Sequence, residues 1–407
     1  MSGQQAMTAR DWLALSLLPR LGTRRLAELR RQDLPWPEGW LAALPTEPQR
    51  ILRAYLKAPD KSVLHKPIAA GLAWYEASAN HHLLHPGHPH WPRLLDELPD
   101  PPAVLWAWGS LDCLALPALA MVGTRRPTRE GLDNAALFAR ALAAAGHTVV
   151  SGMALGIDGQ AHAATLDAAG RTVAVLGCGI DVLYPRQHRD LRRRLLEKGG
   201  LIVSEHLPGT AAHPRHFPRR NRLITGLSRG VLVVEAALKS GSLVSARLAM
   251  EQNRDVFAIP GSIHNPQASG CLWLIQEGAR LVTCVEDILV ELPPLADDFM
   301  ACPMGNGADA KNTEERIAGR VEPAGPSAAN GQPDLQSGLF EAAPTGAQPA
   351  DAEEAPLLRL LSDQPTPLDV LVELAGVDVT QCSMQLLTLE LEGKVTQAPG
   401  GWVRIQR

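Results

Sequence analysis

Between residues 111 and 295 one phrase recurs: a short apolar run rich in β-branched residues, then a glycine or polar residue, then a stretch with helical spacing. The runs are ALAMVG, HTVVSG, TVAVLG, LIVSE, GVLVVEA, DVFAIPG and ARLVT, and REGLDNAALFARALAAAG shows the helical spacing that follows the first. Strands that alternate with helices in this way predict an α/β fold, with a mainly parallel sheet covered by helices on both faces. Ligands of such sheets collect at the loops outside the carboxyl ends of the strands.

The flanks differ in texture. Residues 1–110 read as an N-terminal helical domain with proline-rich connections. Within it Leu17–Leu29, preceded by a helix starting near Thr8, reads as helix, glycine turn, helix. Such a hairpin can hold phosphates on its backbone amides, but packing as a helical cap is the preferred reading. Residues 296–354 turn to Gly, Pro, Ala, Ser, Asn and Gln without apolar periodicity, the composition of a flexible linker. Residues 355–407 carry helical patterns (PLLRLLS, PLDVLVELAG, TQCSMQLLTLELEG) and end in KVTQAPGGWVRI, where Pro-Gly-Gly turns a hairpin. Helices followed by a short hairpin predict a winged-helix domain.

Composition narrows the function. A formal net charge of −4 excludes a uniformly basic coat, so a nucleic-acid site must be a local patch. Aromatics at 4% argue against a platform of many stacking rings. The six cysteines are scattered without a CxxC pair, as suits reduced thiols in a cytoplasmic protein. LALSLL near the N-terminus lacks a cleavage site, and no run reaches the roughly 20 apolar residues of a membrane helix.

Each central strand delivers a chemically distinctive loop. After the first come Gly123, Thr124, Arg125 and Arg126: a close-approach glycine, a hydroxyl and a planar fork suited to phosphate. Ser151 and Gly152 open SGMALGID, where Asp158 and His162 share a helix face. A capped helix start with a histidine packed or bonded to it is preferred there over catalysis. Gly177-Cys178-Gly179 begins a dinucleotide fingerprint but lacks its third glycine, and no GxxxxGK[ST] occurs, so no cofactor is expected. The stretch from His213 to Arg229 holds Arg215, Arg219, Arg220, Arg222 and Arg229 without an acid, and Phe217 and Asn221 interrupt it. Basic residues around one ring pair phosphate neutralisation with stacking; the plainer alternative is arginines tied to acidic partners. Lys239, Ser240, Gly241 and Ser242 form another turn able to present amides and hydroxyls to a phosphate.

Taken together, VGTRRPTREG, SGMALGIDGQAH, TVAVLGCGIDVLYP, FPRRNRLITGLSRGVLVVEAALKSGSLVSA and DVFAIPGS resemble the DNA-processing protein A (DprA/Smf) family over about residues 117–290. The resemblance implies an extended Rossmann fold and a non-enzymatic, homodimeric protein that binds single-stranded DNA. It further implies that the protein protects incoming DNA in natural transformation and loads the RecA recombinase. The family's Gly-Ser-Arg loop stands here as Gly123-Thr124-Arg125, its Phe-Pro-x-Arg-Asn-Arg motif as Phe217, Pro218, Arg220, Asn221 and Arg222, and its Ser-Gly-Ser loop as Ser240–Ser242.

Three other readings are weighed against it. The glycine-looped sheet is also similar to nucleotide phosphoribohydrolases, in which Glu235 near Arg220 could assist glycosidic cleavage; KSGSLVSA departs from the Pro-Gly-Gly-x-Gly-Thr signature of that group. HHLLHPGHPH crowds five histidines, yet its prolines and want of Cys or carboxylate ligands favour a surface loop over a metal site. Thr380–Gly393 of the tail holds Glu390 and Glu392 and no Lys or Arg, which favours protein contact or regulation over duplex reading.

Overall fold

The computed structural model describes residues 7–292, 356–361, 365–392, 394–398 and 401–405. The linker expectation for 296–354 lies outside the described residues.

Five helices come first: α1 (Ala9–Ser16), α2 (Thr23–Arg30), α3 (Glu38–Ala43), α4 (Thr46–Lys57) and α5 (His65–Glu76). The hairpin of α1 and α2 is the one expected. Thr8 caps α1 through a reciprocal exchange with Asp11, which satisfies two otherwise orphaned amides. Beyond α5 the segment holds a short 3-10 turn at Arg93–Glu97 and two strands. Strands β1 (His81–Leu84) and β2 (Leu105–Gly109) join the main sheet, antiparallel to each other and to its neighbouring strand.

The alternation then runs as expected: β3 (Ala118–Val122), α6 (Arg129–Ala144), β4 (Thr148–Ser151), α7 (Ile157–Asp167), β5 (Thr172–Leu176), α8 (Arg189–Glu197) and β6 (Leu201–Ser204). It continues through α9 (His216–Gly226), β7 (Gly230–Val233), α10 (Ser242–Glu251), β8 (Asp255–Ala258), α11 (Ser269–Gln276), β9 (Arg280–Leu281) and α12 (Glu286–Leu289). The sheet order is β1-β2-β6-β5-β4-β3-β7-β8-β9, with β3 to β9 all parallel. The chain therefore builds outward from β3 to β6 and then returns to the other side of β3. The order reverses between β3 and β7, and a crevice at the carboxyl ends of the strands belongs there.

Alternate side chains of each strand feed opposite layers. Ala118, Ala120 and Val122 pack with Leu223, Ile224, Ala246 and Leu274 of α9, α10 and α11. Leu119 and Met121 pack with Phe138, Leu142, Ile157 and Ala161 of α6 and α7. The N-terminal helices are fastened by Trp106 of β2, fully buried among Leu13, Leu52, Ile68 and Ile202. A Cβ at Gly71 of α5 would stand 2.7 Å from its ring, so α5 crosses it at the closest possible approach. Truncating a Trp so placed to Ala costs about 3–5 kcal/mol.

The C-terminal element consists of α13 (Pro356–Leu360), α14 (Leu368–Ala375), α15 (Val379–Leu391) and the hairpin β10 (Val395–Ala398) with β11 (Gly401–Arg404). Thr366 bridges to Trp402 as a third short strand, which completes a winged helix around Leu371, Leu386 and Trp402. It belongs to the same compact unit as the described residues 7–292.

Candidate nucleic-acid interface

The loops after β3 and β7 are zipped together at the point of strand reversal. The Thr124 amide donates to the carbonyl of Glu235 at 2.7 Å. The Glu235 carboxylate accepts from the Thr128 amide at 2.8 Å and its hydroxyl at 2.7 Å, and from Asn265 at 3.4 Å. An acid at the first turn of α6 suits the positive end of that helix. The Thr124 hydroxyl accepts from the Arg126 amide at 3.2 Å. A Cβ at Gly123 would fall 2.5 Å from Ile157, so glycine there admits α7 against the strand end.

Arg125 leaves this loop over an aromatic pair. Its guanidinium carbon lies 5.9 Å from the Phe217 ring centroid, and Tyr184 lies 5.2 Å from the same ring. Phe217 is 7% exposed. Arg125 Nη1 donates to Glu373 Oε2 at 2.6 Å, and Asp369 Oδ2 is 3.9 Å from its Nε. Both acids belong to α14. Burial, with the neighbouring Glu373 carboxylate, pushes the Tyr184 phenol up from its ordinary value.

The arginines of the His213–Arg229 run do not form one positive face. Helical periodicity spreads them around α9, and two turn inward. Arg220 is buried and donates through Nη1 to the carbonyls of Gly152, at 2.6 Å, and Val175. It thereby satisfies backbone oxygens at the ends of β4 and β5, which two strand ends would otherwise leave unpaired. Burial pulls its pKa down to about 10, so it remains charged at neutral pH. Arg222 is buried too, with Nη2 2.5 Å from Glu205 and Nε 3.0 Å from Asp100. The expectation of phosphate contacts by Arg220 and Arg222 meets a different placement: Arg220 bonds main-chain carbonyls and Arg222 bonds Glu205 and Asp100 inside the protein. Arg215 and Arg219 are on the outer side, and Asn221 is half-buried.

Ser151 and Gly152 likewise serve the interior. The Ser151 hydroxyl, fully buried, donates to Met121 O at 2.6 Å and ties β4 to β3. Gly152 makes room for Arg220. The buried Asp158 accepts from the amides of Gly152, at 3.0 Å, and Ala154, at 3.4 Å, and closes the loop on itself. Burial raises its pKa and the nearby Arg220 opposes that shift. His162 does not bond to it; its Nδ1 pairs with Thr172 Oγ1 at 2.7 Å.

At the end of β7, Lys239 is exposed and Ser240 half-buried, with Ser240 and Ser242 hydroxyls 2.6 Å apart across Gly241. The glycosidase pairing finds no support: Glu235 caps α6, whereas Arg220 is bound to carbonyls of β4 and β5. Of the histidine cluster, His81 stacks on Trp74 at 3.9 Å and bonds its carbonyl, while His82 bonds Gly109 O. Among the described residues no group of three or more potential ligands could hold a metal. None of the described helices is long and apolar enough to cross a membrane.

Sequence reasoning missed Tyr184, Glu205 and Glu373. Tyr184 carried a signal, an isolated aromatic after the glycine loop of β5. Glu205 and Glu373 carried none, because an acid's partner is not written in its own neighbourhood.

A family model for DNA recombination-mediator protein A matches residues 82–293, and one for the DprA winged helix domain matches residues 341–401. Protein Smf of Escherichia coli K12 is 40% identical over 358 residues, 88% of this chain and 85% of that protein. The DNA processing protein DprA of Bacillus subtilis is 44% identical over 207 residues, 51% of this chain and 68% of its own length. The X-ray structure of DNA processing protein A from Streptococcus pneumoniae superposes with a TM-score of 0.59 at 35% identity, covering 71% of this chain and 99% of that one. A sheet of this order, a winged helix and these shared stretches agree, and the chain belongs to the DNA recombination-mediator protein A (DprA/Smf) family.

Proposed function

We propose that this chain binds single-stranded DNA, without acting on it as an enzyme, at the carboxyl edge of the sheet. The observation that carries the reading is Arg125, a rigid five-donor fork at the point of strand reversal, lying over Phe217. Gly123, Thr124, Arg125 and Arg126 form the first phosphate-bearing loop, and Lys239, Ser240, Gly241 and Ser242 the second. Arg215 and Arg219 extend the positive surface, with Asn221 as a polar contact beside them, and the buried Phe217 supports the Arg125 guanidinium from beneath. Gly152, Ser151, Arg220 and Arg222 position these groups from beneath. A single strand suits a line of scattered cations, because its flexible backbone can follow them.

Membership of a family named for mediating recombination supports a second step, delivery of the bound strand to the RecA recombinase by a cytoplasmic homodimer, in the uptake of transforming DNA. The binding step is tested by fluorescence anisotropy with labelled single-stranded and duplex oligonucleotides across a salt series. Phosphate contacts by Arg125, Arg126 and Lys239 would give a log–log salt slope of roughly −2 for a single strand. Arg125→Ala should weaken binding and make the slope shallower. Binding indifferent to salt, or equal in Arg125→Ala and wild type, would refute the groove. RecA delivery is read separately, as faster filament nucleation on a strand precoated with single-strand-binding protein.

A further inference from the structure

The cation proposed to meet DNA is already held by a carboxylate of the winged helix. Asp369 and Glu373 are four residues apart and so share one face of α14. Both reach Arg125, Glu373 by a 2.6 Å hydrogen bond. Glu373 lines the same crevice as Gly177, Tyr184, Phe217 and Arg220. A carboxylate offers a guanidinium fork much what a phosphodiester offers, two oxygens sharing a negative charge. The Arg125 side chain is only 18% exposed with α14 in place, and Glu373 15%.

A second observation bears on how firmly this contact holds. The other oxygen of Glu373, Oε1, is buried and lacks a donor in good hydrogen-bond geometry, although the Tyr184 hydroxyl is its neighbour. An unpaired buried carboxylate oxygen costs free energy, which offsets part of what the ion pair contributes. The ion pair therefore holds α14 less firmly than a fully satisfied one would.

We infer that the winged helix is an internal competitor for the DNA site: α14 sets Glu373 and Asp369 on Arg125 in the place of a phosphate, and single-stranded DNA binds by displacing it. This rests on the DNA reading above. A protein whose competent state is only partly populated binds with an affinity reduced by that fraction. It also accounts for a winged helix whose third helix, α15, carries no Lys or Arg along its length: its use is to cover a site rather than to read a duplex.

The test uses the full chain and a labelled thymidine oligonucleotide at fixed salt. Glu373→Gln keeps the shape and removes the charge, and it should bind about tenfold more tightly than wild type. Asp369→Asn combined with it should tighten further. In wild type, saturating oligonucleotide should speed hydrogen exchange in residues 368–375. If Arg125→Ala loses affinity while Glu373→Gln binds like wild type or more weakly, the competitor falls and the DNA site stands. The competitor falls equally if α14 stays protected in the DNA complex. If neither wild type nor Glu373→Gln binds the single strand, the DNA site falls and the competitor with it.

Discussion

The guanidinium of Arg220 lies where a side chain at position 152 would stand: a Cβ built on Gly152 falls 2.6 Å from its Nη1 and 2.7 Å from its Cζ. Helix α9 and the loop after β4 fit together because that side chain is missing. Gly152→Ala forces either the loop or the guanidinium to move, and overpacking of this kind costs about 1–3 kcal/mol. Urea unfolding should show a lower midpoint; an unchanged midpoint would mean that the loop yields freely.

Two arginines of α9 separate by stability. Arg222→Ala strips Glu205 of its nearer partner and leaves it only the more distant Arg219, a loss that approaches the roughly 3–5 kcal/mol of a broken buried pair. Arg219, half-exposed and 3.7 Å from the same acid, should change stability by no more than about 0.5 kcal/mol as Arg219→Ala. Its effect should appear in DNA affinity instead. A stable Arg222→Ala protein would make that residue a candidate phosphate contact again.

Acid should weaken the fold through His162. Burial holds its pKa down at about 3, against an ordinary value of 6.5. Between those values the unfolded chain takes up a proton that the folded one refuses. Its contribution is complete above about pH 6.5 and is lost below it, by up to about 1.4 kcal/mol per pH unit. His162→Gln should flatten the dependence of unfolding free energy on pH by one proton between about pH 6 and 4. An identical slope in the variant would place the proton uptake elsewhere, with His206 the next group to test, since burial holds it near 4.

Much of this architecture was legible because it rests on local repetition. Seven apolar runs became strands β3 to β9, and glycine after a run marked the end of each of several strands. β1 and β2 escaped notice: HHLL reads as part of a histidine-rich loop, and LWAWG stands alone between prolines and a serine. The basic run of α9 was visible as charge but not as direction, since adjacent arginines on a helix point about 100° apart. Arg220 and Arg222 went inward because two strand ends and Glu205 needed donors there. Arg125 and Glu373 are 248 residues apart, and nothing local to either announces the other.

The nine-stranded sheet ends on one side in β1, four residues long, and on the other in β9, just two, where Arg280 is engaged by Glu291. Open backbone along a sheet margin is what lets one chain add its strands to another. At β9 that margin is nearly spent. Under the DNA reading proposed above, copies lined up on one strand would meet through their side chains rather than by extending the sheet at its β9 edge.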